Sequence, residues 1–92
     1  MDKVLKYEIN LSDVSTRRQF QERVQEILPC PAYFGRNLDA LYDLLTEWND
    51  YTEITFSEFR EFSHRMPGYA ETVQSMCADV MAENQKIKIV LD

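Results

Sequence analysis

Two aspartates, Asp39 and Asp43, are the residues of this sequence whose type and spacing could do chemistry. Residues four apart lie one turn apart on the same face of an α-helix, so their carboxylates would be neighbours. Such a pair could act as a general acid and base, bind a cation, or form a docking surface for positive charge. It could also be a solvated helix face with no further role. Charge alone favours the solvated face.

The other reactive side chains give little support to catalysis or metal binding. No histidine, serine nucleophile or glycine-rich loop accompanies the aspartate pair in sequence. His64 is the only histidine, and its position near the end of a short predicted helix indicates a surface or capping role. Cys30 and Cys77 lack CxxC spacing and adjacent histidines, so we expect reduced thiols. The sequence therefore predicts no catalytic site, cofactor or metal.

The helix that must position the two aspartates has a clear start and an apolar face. Gly35 can supply a turn with positive φ, and Asn37 is a favourable N-cap residue. The apolar residues that recur at helical spacing are Leu38, Leu41, Leu45 and Trp48. The opposite side carries an acidic arc, which consists of Asp39, Asp43 and Thr46, with Tyr42 at its border and Glu47 just beyond. One face is predicted to be core and the other an acidic display.

Tyrosines accompany this predicted acidic arc. The segment from Pro29 to Ala32 cannot continue a helix, and it leads the chain to Tyr33, just before the acidic helix. Exposed tyrosines beside carboxylates are typical of binding hot spots. Partial burial in the core is an equally good interpretation of Tyr33 and Tyr42.

Length and charge limit the classes of function. The 92 residues suffice for one small domain, spanning 1–92, without room for separate binding and catalytic modules. Ten basic residues against 16 acidic ones give a formal net charge of −6, which repels nucleic-acid backbones and favours basic partners. No apolar run approaches the roughly 18 residues of a membrane span, and the N-terminal residues do not resemble a signal peptide. We therefore expect a cytoplasmic protein that binds neither nucleic acid nor membrane.

The first half of the chain predicts a strand and two helices. Alternating apolar residues over Lys3–Leu11 indicate a strand. Ser12-Asp13 and Ser15-Thr16 then offer helix caps. The stripe of Phe20, Val24, Ile27 and Leu28 predicts a helix over Thr16–Leu28, which Pro29 ends. The helix with the acidic arc follows.

The second half predicts two more strands and two more helices. Tyr51–Phe56 is rich in β-formers, and Ser57 can cap a short helix that Pro67-Gly68 stops. A longer helix starts at Tyr69 and ends at Asn84, which is a reasonable left-handed terminator. Its apolar stripe is Val73, Met76, Cys77, Val80 and Met81. Ile87, Ile89 and Leu91 alternate in a last strand, where Val90 adds a second apolar face as in strands buried on both sides.

The order of these elements, β-α-α-β-α-α-β, indicates an α/β fold. Long helical connections suit parallel neighbours rather than antiparallel hairpins. The sequence therefore predicts a three-stranded parallel sheet packed with about four α-helices.

One run of the sequence resembles the signature of the barstar family, the intracellular inhibitors of barnase-type ribonucleases: Tyr33-Phe34-Gly35-x-Asn37-Leu38-Asp39-Ala40-Leu41-Tyr42-Asp43-x-Leu45-Thr46-x-Trp48. The match covers the second helix and its approach, whereas the rest agrees more in length, element order and acidic character. The resemblance implies a protein, monomeric when free, that plugs the active site of a basic secreted or toxin ribonuclease. It would do so in a 1:1 complex that protects the producing cell.

The resemblance also implies which residues form the contact surface. Carried over by position, they are Tyr33, Gly35, Asn37, Leu38, Asp39, Ala40, Tyr42, Asp43, Thr46 and Asp79. Asp43 occupies the place of the carboxylate that enters the enzyme's phosphate-binding site.

Several residues depart from the family pattern. Tyr42 stands in place of a tryptophan, and Phe34 in place of a tyrosine. Arg36 replaces a glutamate, and Asp79 replaces a glutamate that is one methylene longer. Arg36 suggests a different cognate enzyme. The alternative is an immunity or regulatory protein of the same fold, whose partner is another toxin or a basic cytosolic protein.

Overall fold

The computed structural model describes residues 3–30 and 37–92, which form three β-strands and four α-helices. In chain order these are β1 (Leu5–Asn10), α1 (Arg17–Ile27), α2 (Leu38–Thr46), β2 (Thr52–Ser57), α3 (Phe59–Arg65), α4 (Pro67–Glu83) and β3 (Ile87–Leu91). The strands form one parallel sheet in the order β1-β2-β3. The predicted α/β fold is confirmed.

The sheet has one buried face and one polar face. Aligned residues on the buried face include Tyr7, Ile54 and Ile89, and this face contributes to a core that contains residues from all four described helices. The other face carries Lys6, Glu53 and Lys88 side by side, with Glu53 3.9 Å from each lysine. Val90 lies on this face, half-buried, so its predicted role in a second apolar face is wrong. The fold has two layers, helices on sheet.

Local capping sets the starts of α1 and α2 as predicted. Thr16 Oγ1 accepts a hydrogen bond from the Gln19 backbone N–H at 3.0 Å. Asn37 Oδ1 accepts one from the Ala40 backbone N–H at 2.8 Å. Each cap satisfies a backbone donor that has no partner inside the first helical turn.

The region between β2 and α4 differs from the prediction. Ser57 is the last residue of β2, and its Oγ has no hydrogen-bond partner among the described residues, so it is not a helix cap. Glu58 precedes α3 instead, with a left-handed φ of 61° that non-glycine residues rarely adopt. Pro67 does stop α3, but it also begins α4 two residues earlier than predicted. Proline is favourable at a first helical position because that N–H has no intrahelical partner.

The ends of α2 and α4 also differ from the prediction. The helix α2 ends at Thr46, so Trp48 lies beyond it, half-buried. The Trp48 ring meets Tyr7 edge-on, and its Nε1–H donates to Thr52 Oγ1 at 2.8 Å. Asn84 ends α4 with a φ of −132°, so the predicted left-handed terminator is wrong. Among the described residues, no helix has the length and apolar character needed to cross a membrane.

Candidate functional site

The helix α2 presents a buried side and an exposed acidic side, as its periodicity predicts. Leu41 and Leu45 are fully buried against the core. Asp39 and Asp43 are exposed. Leu38, predicted to be core, is only half-buried at the first turn of the helix. The apolar side fixes the rotation of the helix, and this rotation aims the two carboxylates at solvent.

Asn84 holds the other end of α2. Its side-chain Nδ2 donates to the carbonyl oxygens of Leu45 at 2.9 Å and Trp48 at 2.8 Å, with a longer contact of 3.4 Å to Thr46. Its Oδ1 accepts from the Lys86 backbone N–H at 3.0 Å. The last carbonyls of a helix have no intrahelical donors, so one buried amide satisfies them and ties α2 to the end of α4.

A shallow groove runs between α2 and α4 beside the acidic arc. It encloses about 330 Å³ and is lined by Leu38, Asp39, Tyr42, Thr72, Ser75, Met76 and Asp79. We refer to it as the Asp79 groove. It brings the α4 carboxylate that the resemblance implied to the same surface as Asp39 and Tyr42.

The Tyr42 hydroxyl shows how closely the acidic groups gather. Partial burial raises the pKa of Tyr42, and the negative charges of Glu83, Asp79 and Asp43 raise it further because they disfavour the phenolate. Glu83 is a member of this cluster that the sequence analysis missed. The sequence contains a pattern that indicates Glu83, because Asp79 and Glu83 on α4 have the same four-residue spacing as Asp39 and Asp43 on α2.

The cluster formed by Asp39, Asp43, Asp79 and Glu83 has no cationic partner among the described residues. None of the four carboxylates takes part in a salt bridge there, whereas carboxylates elsewhere do. For example, Asp13 meets Arg23 at 2.8 Å. Four uncompensated carboxylates on two helices create a local negative potential that attracts a positively charged partner.

The remaining predicted site residues occupy varied positions. Ala40 is half-buried, and so is Thr46, whose hydroxyl donates to the Asp43 carbonyl at 3.1 Å. Tyr33 and Gly35 lie outside the described residues. Glu47 lines a different groove, with Trp48 and Cys30 among its other lining residues.

The chemistry available in the Asp79 groove is that of recognition. The part of its lining that the structure describes carries hydroxyl and carboxylate groups but no histidine, lysine or cysteine. Among residues 3–30 and 37–92, no three His, Cys, Asp or Glu side chains converge as metal ligands. Cys30 and Cys77 are free thiols, and burial raises the pKa of Cys77 to about 12. The surface can offer acceptors to the cationic side chains of a partner.

Comparison with known proteins identifies the family. The family model for Barstar (barnase inhibitor) matches residues 4–92. The chain belongs to the barstar family. It is also 35% identical over 71 residues to the "Putative ribonuclease inhibitor YrdF" of Bacillus subtilis (strain 168), a match that covers 75% of this chain and 78% of that protein.

This membership confirms the resemblance to the barstar family that was based on the run from Tyr33 to Trp48. Both matching descriptions are of inhibitors and neither is of an enzyme, in agreement with the prediction that the chain is not an enzyme. A barstar-like fold whose acidic cluster takes part in no salt bridge within residues 3–30 and 37–92 fits this family.

Proposed function

We propose that this protein inhibits a barnase-type ribonuclease by occluding the enzyme's active site. In this proposal a single barstar-like domain, monomeric when free, binds one basic secreted or toxin ribonuclease and protects the cytoplasm of the producing cell. The contact surface comprises α2, the residues before it including Tyr33 and Gly35, and the adjoining face of α4. The inhibitor performs no chemistry of its own.

The observation that carries the proposal is the cluster of four carboxylates without cationic partners among the described residues. A ribonuclease holds a polyanion with arginine, lysine and histidine side chains, so carboxylates on a rigid scaffold can imitate its phosphates. Asp43 is the proposed phosphate mimic, with Asp39, Asp79 and Glu83 around it. The helix itself is held at both ends, by the Asn37 cap and by the Asn84 amide.

The residues between the carboxylates have supporting roles. Tyr42 lies half-buried at the border of the acidic arc, and burial and the neighbouring negative charges raise its pKa, so its hydroxyl stays protonated near neutral pH. A protonated hydroxyl can both donate and accept hydrogen bonds in an interface. Leu38, Ala40 and Thr46 supply low, half-buried contact area that a partner can pack against.

The test compares Asp43→Ala with Glu47→Ala in the inhibition of barnase-type ribonucleases that cleave a fluorogenic RNA. We expect competitive inhibition by the unaltered protein, weakened by added salt because salt screens exposed charges. Asp43→Ala should raise the inhibition constant by about 30-fold or more, as expected of a hot-spot residue. Glu47→Ala removes the same charge outside the cluster of four carboxylates and should change the inhibition constant by less than about threefold.

Two outcomes would contradict the proposal. Failure of the unaltered protein to inhibit any enzyme of the panel would remove the ribonuclease as partner. Equal effects of the two substitutions would mean that the contact surface does not lie on the Asp39 and Asp43 side of α2.

A further inference from the structure

A second groove lies next to the Asp79 groove, and its charge is opposite. It encloses about 470 Å³ between α1, the start of α2 and the start of α4. Its lining includes Arg17, Gln21, Asn37, Leu38, Tyr69 and Thr72, with Arg18 at its side. We refer to it as the Tyr69 groove. Leu38 and Thr72 line both grooves, so the two form one continuous surface.

The basic side of the Tyr69 groove is electrostatically unfavourable for the free protein. Arg17 and Arg18 are the first two residues of α1, whose first turn has no acidic residue. The N-terminal end of a helix carries partial positive charge, so two arginines there reduce helix stability. Arg18 is 3.7 Å from Glu22, which compensates part of its charge. The Arg17 guanidinium instead lies 5.3 Å from the centre of the Tyr69 ring. This arrangement leaves a positive potential at the groove.

The floor of the Tyr69 groove holds a buried amide that is incompletely paired. Gln21 is only 3% exposed, and its Nε2 donates to the Tyr69 hydroxyl at 3.1 Å. Its Oε1 has no hydrogen-bond partner among the described residues. An amide oxygen that is buried without a donor among the described residues is unfavourable.

The Tyr69 hydroxyl can act as a hydrogen-bond donor in the groove that Tyr69 lines. Burial raises the pKa of Tyr69, and this effect is opposed by the hydrogen bond from Gln21 and by the charge of Arg17. The net shift is upward, so the hydroxyl keeps its proton at neutral pH. Because its oxygen already accepts from Gln21, its proton is free to be donated. A hydroxyl donor beside a guanidinium is a suitable combination for binding a carboxylate.

We propose that the Tyr69 groove binds an aspartate or glutamate side chain on the surface of the ribonuclease. This inference rests on the proposed function, since the groove continues the surface that would cover the enzyme. The inhibitor would then recognise a pattern of two charges: cationic groups opposite the Asp79 groove and a carboxylate opposite the Tyr69 groove. A basic ribonuclease without that carboxylate would be bound more weakly, so the groove selects among enzymes of similar overall charge.

The test uses two effects that change the affinity in opposite directions: loss of a specific contact of Arg17 and gain of overall charge attraction. Removing any positive charge makes the inhibitor more acidic, and overall charge attraction alone would then strengthen binding to a basic enzyme. We expect Arg17→Gln to weaken binding about five- to tenfold, mainly through faster dissociation. The matched control is Lys6→Gln, which removes the same charge on the polar face of the sheet, where Lys6 is 75% exposed. It should change the dissociation constant by less than about twofold.

A scan of the enzyme identifies the bound group. Each surface aspartate and glutamate near its active site is changed to alanine and combined with Arg17→Gln in a double-mutant cycle. One carboxylate of the enzyme should account for the effect of Arg17. When that carboxylate is removed, Arg17→Gln should no longer change the affinity. Thermal unfolding of Arg17→Gln should occur at the same or a slightly higher temperature than that of the unaltered protein, since Arg17 is exposed and its charge is unfavourable at the start of α1.

The possible failures are distinguishable. If the unaltered protein inhibits and Arg17→Gln behaves like Lys6→Gln, the Tyr69 groove is not a binding site although the proposed function stands. Coupling of Arg17 with none of the enzyme's carboxylates would likewise overturn the inference. Absence of inhibition by the unaltered protein would overturn both proposals.

Discussion

Asn84→Ala should destabilise the protein and loosen the acidic helix at the same time. The Asn84 amide has two N–H hydrogens, which serve the close carbonyls of Leu45 and Trp48, and its oxygen serves the Lys86 N–H. Truncation therefore removes three good hydrogen bonds at a position that is 9% exposed. At about 0.5–1.5 kcal/mol for each hydrogen bond, the loss is about 2–4 kcal/mol. This is a large part of the roughly 5–14 kcal/mol expected for a domain of this length.

Urea unfolding measures this loss of stability. It can be followed by the fluorescence of Trp48, the only tryptophan, whose carbonyl accepts one of the hydrogen bonds that the substitution removes. Thermal unfolding should show a decrease in midpoint on the order of 10–20 °C. Gln85→Ala, at an exposed neighbouring position, is the control and should have little effect. Asn84→Asp retains an acceptor for the Lys86 N–H but places a carboxylate oxygen against the α2 carbonyls, so it should destabilise at least as much as Asn84→Ala.

Two results would refute this reasoning. If Asn84→Asp were as stable as the unaltered protein, donation to the end of α2 would contribute nothing. If Asn84→Ala and Gln85→Ala were equally mild, the hydrogen bonds would be compensated elsewhere.

Three further predictions concern the core, a thiol and a tyrosine. Leu41→Ala should lower the free energy of unfolding in urea by about 2–5 kcal/mol through lost burial and a cavity, whereas Asp43→Ala should leave it unchanged or slightly raised; equal losses would make the Asp43 carboxylate structural. Because burial raises the pKa of Cys77 to about 12, very little thiolate forms at pH 8, so iodoacetamide should alkylate Cys77 only after unfolding, and rapid labelling of Cys77 in the native protein would contradict its burial. Glu83→Gln should lower the pKa of Tyr42, measured as the ultraviolet titration difference from Tyr42→Phe, and no change would mean that the α4 carboxylate is distant.

Sequence predicts this fold best where local interactions decide it. The Thr16 and Asn37 caps are single side chains that bond three residues ahead, so their partners can be read from the chain. The buried positions Leu41 and Leu45 follow from periodicity because one side of the helix must face the core.

The errors occur where a distant contact decides the structure. Asn84 satisfies carbonyls 36 to 39 residues away, and no local pattern indicates this, so a propensity for left-handed conformation gave the wrong prediction. Trp48 continues the helical spacing but lies beyond the end of α2, because its indole bonds to Thr52.

The acidic site likewise has one part that local spacing predicts and one part that depends on distant contacts. Spacing along α2 predicts that Asp39 and Asp43 share a face, and the structure places both on its exposed side. Their proximity to α4 depends on how two helices pack, so Asp79 could be anticipated only from the family resemblance. Spacing along α4 pairs Glu83 with Asp79, but its place beside Tyr42 depends on the same packing of the two helices.

The polar face of the sheet carries lysines through which the protein can be attached to a solid support. The side chains of Lys6 and Lys88 are 75% and 73% exposed there, on the face of the sheet opposite the helices. Coupling through these two lysines would orient α2 toward the solution, whereas coupling through Lys86, whose Nζ donates to the Asn49 carbonyl, would place the linkage near the end of α2. Because the fold has only two layers, one side of the protein can be tethered while the other remains available for capturing a ribonuclease from a mixture.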